Sequence, residues 1–109
     1  MLVYNKLVRD RIPQIIEAKG KTGRTRILDE VEYHTQLKLK LSEETTEYLR
    51  AENTEEALEE LSDILEVVRA LAAAHGASWE ELEALREQKA EKRGGFEERV
   101  FLIDVDEGA

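Results

Sequence analysis

The sequence predicts an all-α domain, a bundle of about four helices with a short terminal β-ribbon. Three observations carry that expectation. Residues 29–51, 55–75 and 79–93 are free of glycine and proline. Apolar residues recur in them at helical spacing. Each run is bounded by residues that cap or stop helices.

The elements follow in order. Pro13 suits the first turn of a short helix that runs to about Lys19, where Gly20 stops it. Residues 20–26 form a loop or the edge of a strand. In residues 29–51, Val31, Leu37, Leu41, Tyr48 and Leu49 mark a helical period with gaps. Asn53-Thr54 ends that run and caps the next. Residues 55–75 carry the strongest stripe: Leu58, Leu61, Ile64, Leu65, Val68, Leu71 and Ala72. Gly76 terminates it. Ser78-Trp79-Glu80-Glu81 fits a capping box that opens the helix over 79–93, and Gly94-Gly95 closes it. Residues 99–105 (RVFLIDV) read as a strand that can pair with residues 24–28. No repeat or linker divides the 109 residues, so residues 1–109 are expected to form a single domain.

Composition narrows the function classes. Cysteine is absent, which excludes disulfides and thiolate metal sites. No apolar run approaches the roughly 18 residues of a membrane span. The opening residues lack the apolar core and cleavage site of a signal peptide, so a soluble, cytoplasmic chain is expected. The net charge is −9 and unevenly spread. Residues 1–42 hold five acids and nine bases, whereas residues 43–66 hold ten acids and one base, Arg50. Such an acidic block argues against binding a nucleic-acid polymer, which requires a basic face. The basic N-terminal third keeps small anions in play.

The chemistry concentrates in two strings, Glu43-Glu44-Thr45-Thr46-Glu47 and Glu60-Leu61-Ser62-Asp63. Residues three apart share a helix face, which pairs Glu44 with Glu47 and Glu60 with Asp63. Around a turn centred near residue 53.5, Glu47 and Glu60 are each 6.5 residues out, and Glu44 and Asp63 each 9.5. At ~1.5 Å of rise per residue, the pairs meet at matching heights in an antiparallel hairpin. Glu44 also continues the apolar stripe of Leu37 and Leu41. Unpaired carboxylates at a core boundary raise one another's pKa and destabilise the fold, and a hard divalent cation resolves the conflict. Mg²⁺ shared with substrate phosphates fits that donor set. Surface charge is the competing reading, because glutamate is a good helix former. A di-iron site is excluded, since neither His34 nor His75 follows a glutamate at the Glu-x-x-His spacing. His75 reads as a helix C-terminal residue compensating the dipole, and Trp79 as helix-entry packing.

The strings Glu43-Glu44-x-x-Glu47 and Glu60-x-x-Asp63, separated by twelve residues, resemble the motif of the MazG-like nucleotide pyrophosphohydrolases. That all-α superfamily also contains phosphoribosyl-ATP pyrophosphohydrolases and dimeric dUTPases. The opening YNKLVRDRIP and the late EKRGGF are similar to a small single-domain, phosphoribosyl-ATP pyrophosphohydrolase-like subgroup. The resemblance runs from about Tyr4 to Leu102. It implies hydrolysis of a nucleoside triphosphate or related nucleotide between its α and β phosphates, in a house-cleaning role toward non-standard nucleotides. It implies Mg²⁺, or Mn²⁺ in its place, on Glu44, Glu47, Glu60 and Asp63. It also implies a homodimer or higher homo-oligomer whose second subunit completes the core.

The expected mechanism is attack of water on phosphorus with a carboxylate, Glu43 or Glu47, taking the proton. Two sets of cations are available for the phosphates: Lys6 with Arg9, and Lys89, Lys92 and Arg93, which share a helix face. The alternative is a non-catalytic helical dimer that binds a nucleotide or a protein. A phosphatase releasing orthophosphate is a third.

Overall fold

The computed structural model describes residues 2–108 and contains four helices: α1 (Ile12–Ala18), α2 (Glu30–Leu49), α3 (Thr54–Ala74) and α4 (Trp79–Arg93). Pro13 sits in the first turn of α1. Polar caps start the other three. The Asp29 carboxylate accepts from Glu32 N–H at 2.9 Å, and the Asn53 carbonyl oxygen accepts from Glu56 N–H at 2.9 Å. Ser78 and Glu81 complete the expected capping box. Each such cap contributes about 1 kcal/mol, because it satisfies an amide that the helix leaves open. His75 is the C-cap of α3, and Gly76 turns the chain with φ of +82°, where a side chain would be strained.

Helices α2 and α3 form the antiparallel hairpin that positions everything else. Leu37 of α2 and Val67 and Ala72 of α3 are its buried apolar residues. Glu44 is buried in the same layer system, with 7 % of its surface exposed. The apolar circumference of α3 is broader than one partner can cover. Leu58, Leu61 and Leu65, expected in the core, therefore stay 61 %, 43 % and 52 % exposed. At the far end of the hairpin the rings of His34 and His75 meet edge to face at 5.2 Å.

Helix α4 approaches α3 and no other helix among the described residues. At the start of α4, Trp79 lies under the Arg69 guanidinium, 5.7 Å from the ring centre. The chain is consequently drawn out, with a radius of gyration of 19.0 Å. A compact chain of this length would have about 13 Å. No helix is long and apolar enough to cross a membrane.

The terminal β-ribbon does not form: no strand occurs among the described residues. Residues 99–105 run without a ladder partner, and Val100, Phe101 and Ile103 point into solvent. Two features explain this. Arg99 has φ of +60° and closes a turn by donating its N–H to the Phe96 carbonyl at 3.2 Å, which breaks the extended backbone where the strand would begin. Residues 24–28, its expected partner, join no ladder either, and all but Leu28 are exposed. A β-rich composition shows local preference only, whereas a ladder needs a second segment held alongside.

Candidate metal centre

The site is built by facing turns of α2 and α3. Glu44 stands two turns beyond Leu37 on the buried stripe of α2, and Glu47 follows one turn later. Glu60 occupies the facing position on α3. Glu44, Glu47 and Glu60 each offer a carboxylate oxygen, and these oxygens lie within 4.8 Å of one another. Oxygens on opposite sides of an octahedral Mg²⁺ are about 4.2 Å apart, so small side-chain movements suffice for a common ion.

Two atoms mark this cluster as unusual. Glu44 Oε2 and Glu60 Oε2 are both buried and have no hydrogen-bond partner. Buried carboxylate oxygens are ordinarily satisfied, and leaving one bare is unfavourable. The electrostatics express the same strain. Burial, then the neighbouring Glu47, then Asp63 and Glu44 push the Glu60 carboxyl up to about 7. Burial also raises Glu44, with Glu47 and Asp63 adding to the rise and Lys40 opposing it.

The other expected residues divide. Asp63, expected as a fourth ligand, accepts from the Arg9 guanidinium at 2.7 Å and stands outside the closest trio. Both side chains are about half exposed, so this pair adds at most ~1 kcal/mol. Its value is positional, because it brings Arg9 to the edge of the carboxylates. Glu43 lies between two ammonium groups, Lys6 Nζ at 3.9 Å and Lys40 Nζ at 3.8 Å. Lys6 and Arg9 thus both reach the cluster from the N-terminal segment. Lys89, Lys92 and Arg93 lie on α4, which makes no approach to α2, and none of the three lines the cleft over the carboxylates.

Lys40 was not singled out in the sequence. It stands 3.7 Å from Glu44 Oε1 and is mostly buried itself. Its spacing, one turn before Glu43 and Glu44, is the signal that could have found it. The cleft itself, of about 450 Å³ between residues 7–11 and the hairpin, also leaves no mark in the sequence.

Comparison with known proteins finds similarity over part of the chain. A 54-residue stretch, half of this chain, is 46 % identical to an uncharacterized protein of Mycolicibacterium smegmatis (strain ATCC 700084 / mc(2)155). The match spans 55 % of that protein's length. No protein-family model matches the chain, and no solved structure does.

Proposed function

We propose that the chain is a Mg²⁺-dependent nucleotide pyrophosphohydrolase that cleaves between the α and β phosphates, releasing a monophosphate and pyrophosphate. The observation that carries this reading is the pair of orphaned oxygens, Glu44 Oε2 and Glu60 Oε2, inside a trio of carboxylates that converge within 4.8 Å. Glu44, Glu47 and Glu60 would hold the cation, with Asp63 joining when Arg9 turns to the substrate. When bound, Mg²⁺ neutralises phosphate charge and acidifies water. Mn²⁺, with similar oxygen preference, is the expected substitute.

The protein's own groups supply the rest. Arg9 and Lys40 flank the cluster and face the phosphates that lie over it. Glu43 stands outside the ligand trio, one turn before Glu47, and takes the proton from the attacking water. The new bond joins the water oxygen to the α phosphorus, and the anhydride bond to the β phosphate breaks. The proton passes to Glu43, and pyrophosphate departs with the bonding electrons.

A homodimer belongs to the same proposal. Leu58, Leu61 and Leu65 form a single exposed stripe on α3, and the drawn-out shape leaves α4 largely unpacked. A second copy laid on that stripe would complete a bundle. It would also offer Lys89, Lys92 and Arg93 a route to the substrate that the single chain lacks. The exposed stripe equally suits a non-catalytic binding module, but that reading leaves the orphaned oxygens unexplained.

The test is a product assay with canonical and modified nucleoside triphosphates, with Mg²⁺ and with EDTA. Monophosphate plus pyrophosphate, lost with EDTA, is the expected result. Diphosphate plus orthophosphate would replace the pyrophosphohydrolase with a phosphatase. A Mg²⁺-independent thermal midpoint together with no turnover would leave the binding module.

A further inference from the structure

The cleft beside the carboxylates continues well past them, and its lining changes in a definite order. It begins at Glu44 and Asp63, beside the Arg9 and Lys40 cations. It then meets Glu66, three residues beyond Asp63 on α3 and so about 4.5 Å further from the hairpin turn. Leu37, Val67 and Tyr33 also line it, and Tyr33 is the member of α2 furthest from the hairpin turn. Tyr33 lies eleven residues before Glu44 on α2, which is about 16 Å along the helix axis. That span is comparable to an extended nucleoside triphosphate. The near end is made for a ligand rather than for solvent, because Glu44 is more than nine-tenths buried and its Oε2 has no partner.

Glu66 is the informative member. It enters none of the ion pairs that engage Glu43, Glu44 and Asp63. An ionised carboxylate only accepts hydrogen bonds, and it repels phosphate. In a groove whose next neighbours are cations on one side and apolar walls on the other, it suits a neutral group rich in O–H donors. In a nucleotide that group is the sugar, which stands between the phosphates and the base. A carboxylate holding ribose hydroxyls is the arrangement that dinucleotide-binding folds also use.

We propose that Glu66 accepts from the 2′- and 3′-hydroxyls of the sugar, and that the base lies beside Tyr33, which makes the chain selective for ribonucleotides over deoxyribonucleotides. This rests on the pyrophosphohydrolase reading and adds to it the sugar class. Glu66 itself is exposed, so its replacement leaves the hairpin core intact.

The test is calorimetric binding of α,β-methylene analogues of the four common ribonucleoside triphosphates and their 2′-deoxy counterparts, in Mg²⁺. It is run on the wild-type chain and on Glu66→Leu, with Mg²⁺ alone titrated in parallel. A lost hydrogen bond to a charged partner weakens binding about tenfold or more. Ribonucleotides are therefore expected to bind at least tenfold tighter, and Glu66→Leu to bring the ratio close to one with Mg²⁺ affinity unchanged. Equal affinities in the wild type, or a preference that survives Glu66→Leu, would overturn the proposal while leaving the metal centre standing. Absence of Mg²⁺ binding would overturn the reading beneath it.

Discussion

Leu37 and Glu44 occupy the same face of the same helix, two turns apart, and are almost equally buried at 3 % and 7 % exposure. Their consequences are opposite. Burying Leu37 removes apolar surface from water and contributes about 1.5–3 kcal/mol to the fold. Burying Glu44 takes a carboxylate out of water beside two others and leaves an oxygen bare. One turn of the hairpin is therefore built for stability, and the next is built against it. A buried position that works against the fold is what the proposed cation would account for.

Four experiments sharpen or break that contrast. The largest effect is expected at Glu47. In Glu47→Gln, turnover should fall by a factor on the order of 10² or more, because the change would weaken one ligand to the proposed cation, while circular dichroism remains that of the folded chain. Loss of the fold instead would make Glu47 a structural residue. At the other turn, Leu37→Ala should destabilise the chain by ~3 kcal/mol in urea unfolding, Mg²⁺ present or absent. An unchanged midpoint would mean that the hairpin core lies elsewhere.

The third experiment uses pH. The folded-state pKa of Glu60 is raised to about 7, above its ordinary value near 4.5. The folded protein therefore holds a proton that the unfolded chain releases between those two values. Below about 4.5 the group is protonated in both states, and its burial carries no ionisation penalty. As pH rises toward about 7 the unfolded chain gains from ionising first, so metal-free stability should fall across that window. Glu60→Gln should flatten the fall, and so should saturating Mg²⁺, which favours the ionised form. Identical pH profiles for wild type and Glu60→Gln would show that the cluster is solvated rather than strained. The smallest effect is a control remote from both turns. Ser78→Ala removes the cap of α4 and should lower stability by about 1 kcal/mol without altering Mg²⁺ binding.

The pattern of what could be read in advance follows from range. The helices and their caps were legible because a cap is a contact over three residues, as with Asn53 and Glu56. The convergence of Glu44, Glu47 and Glu60 was legible because a short turn fixes the register of two helices by counting. The ribbon was not, because strand preference at residues 99–105 says nothing about whether another segment lies alongside. The split of the carboxylates, with Asp63 turned to Arg9, depends on where an N-terminal loop crosses the hairpin, and no periodicity reports that. A lysine beside glutamates on a helix has the pattern of surface charge, whereas Lys40 is largely shielded by the fold.

Glu44, Glu47, Glu60 and Asp63 all fall between residues 44 and 63, on either side of one short turn. Their meeting requires closure of a loop of about twenty residues and nothing more distant. Helical hairpins with such local contacts form in microseconds to milliseconds, ahead of slower long-range packing. Mutual repulsion among these acids is therefore met within the hairpin itself, independently of α4 and the C-terminal residues. A divalent cation held by these acids, as proposed, would relieve that repulsion while the hairpin closes. On the proposed reading, the ion would be a folding partner as well as a cofactor.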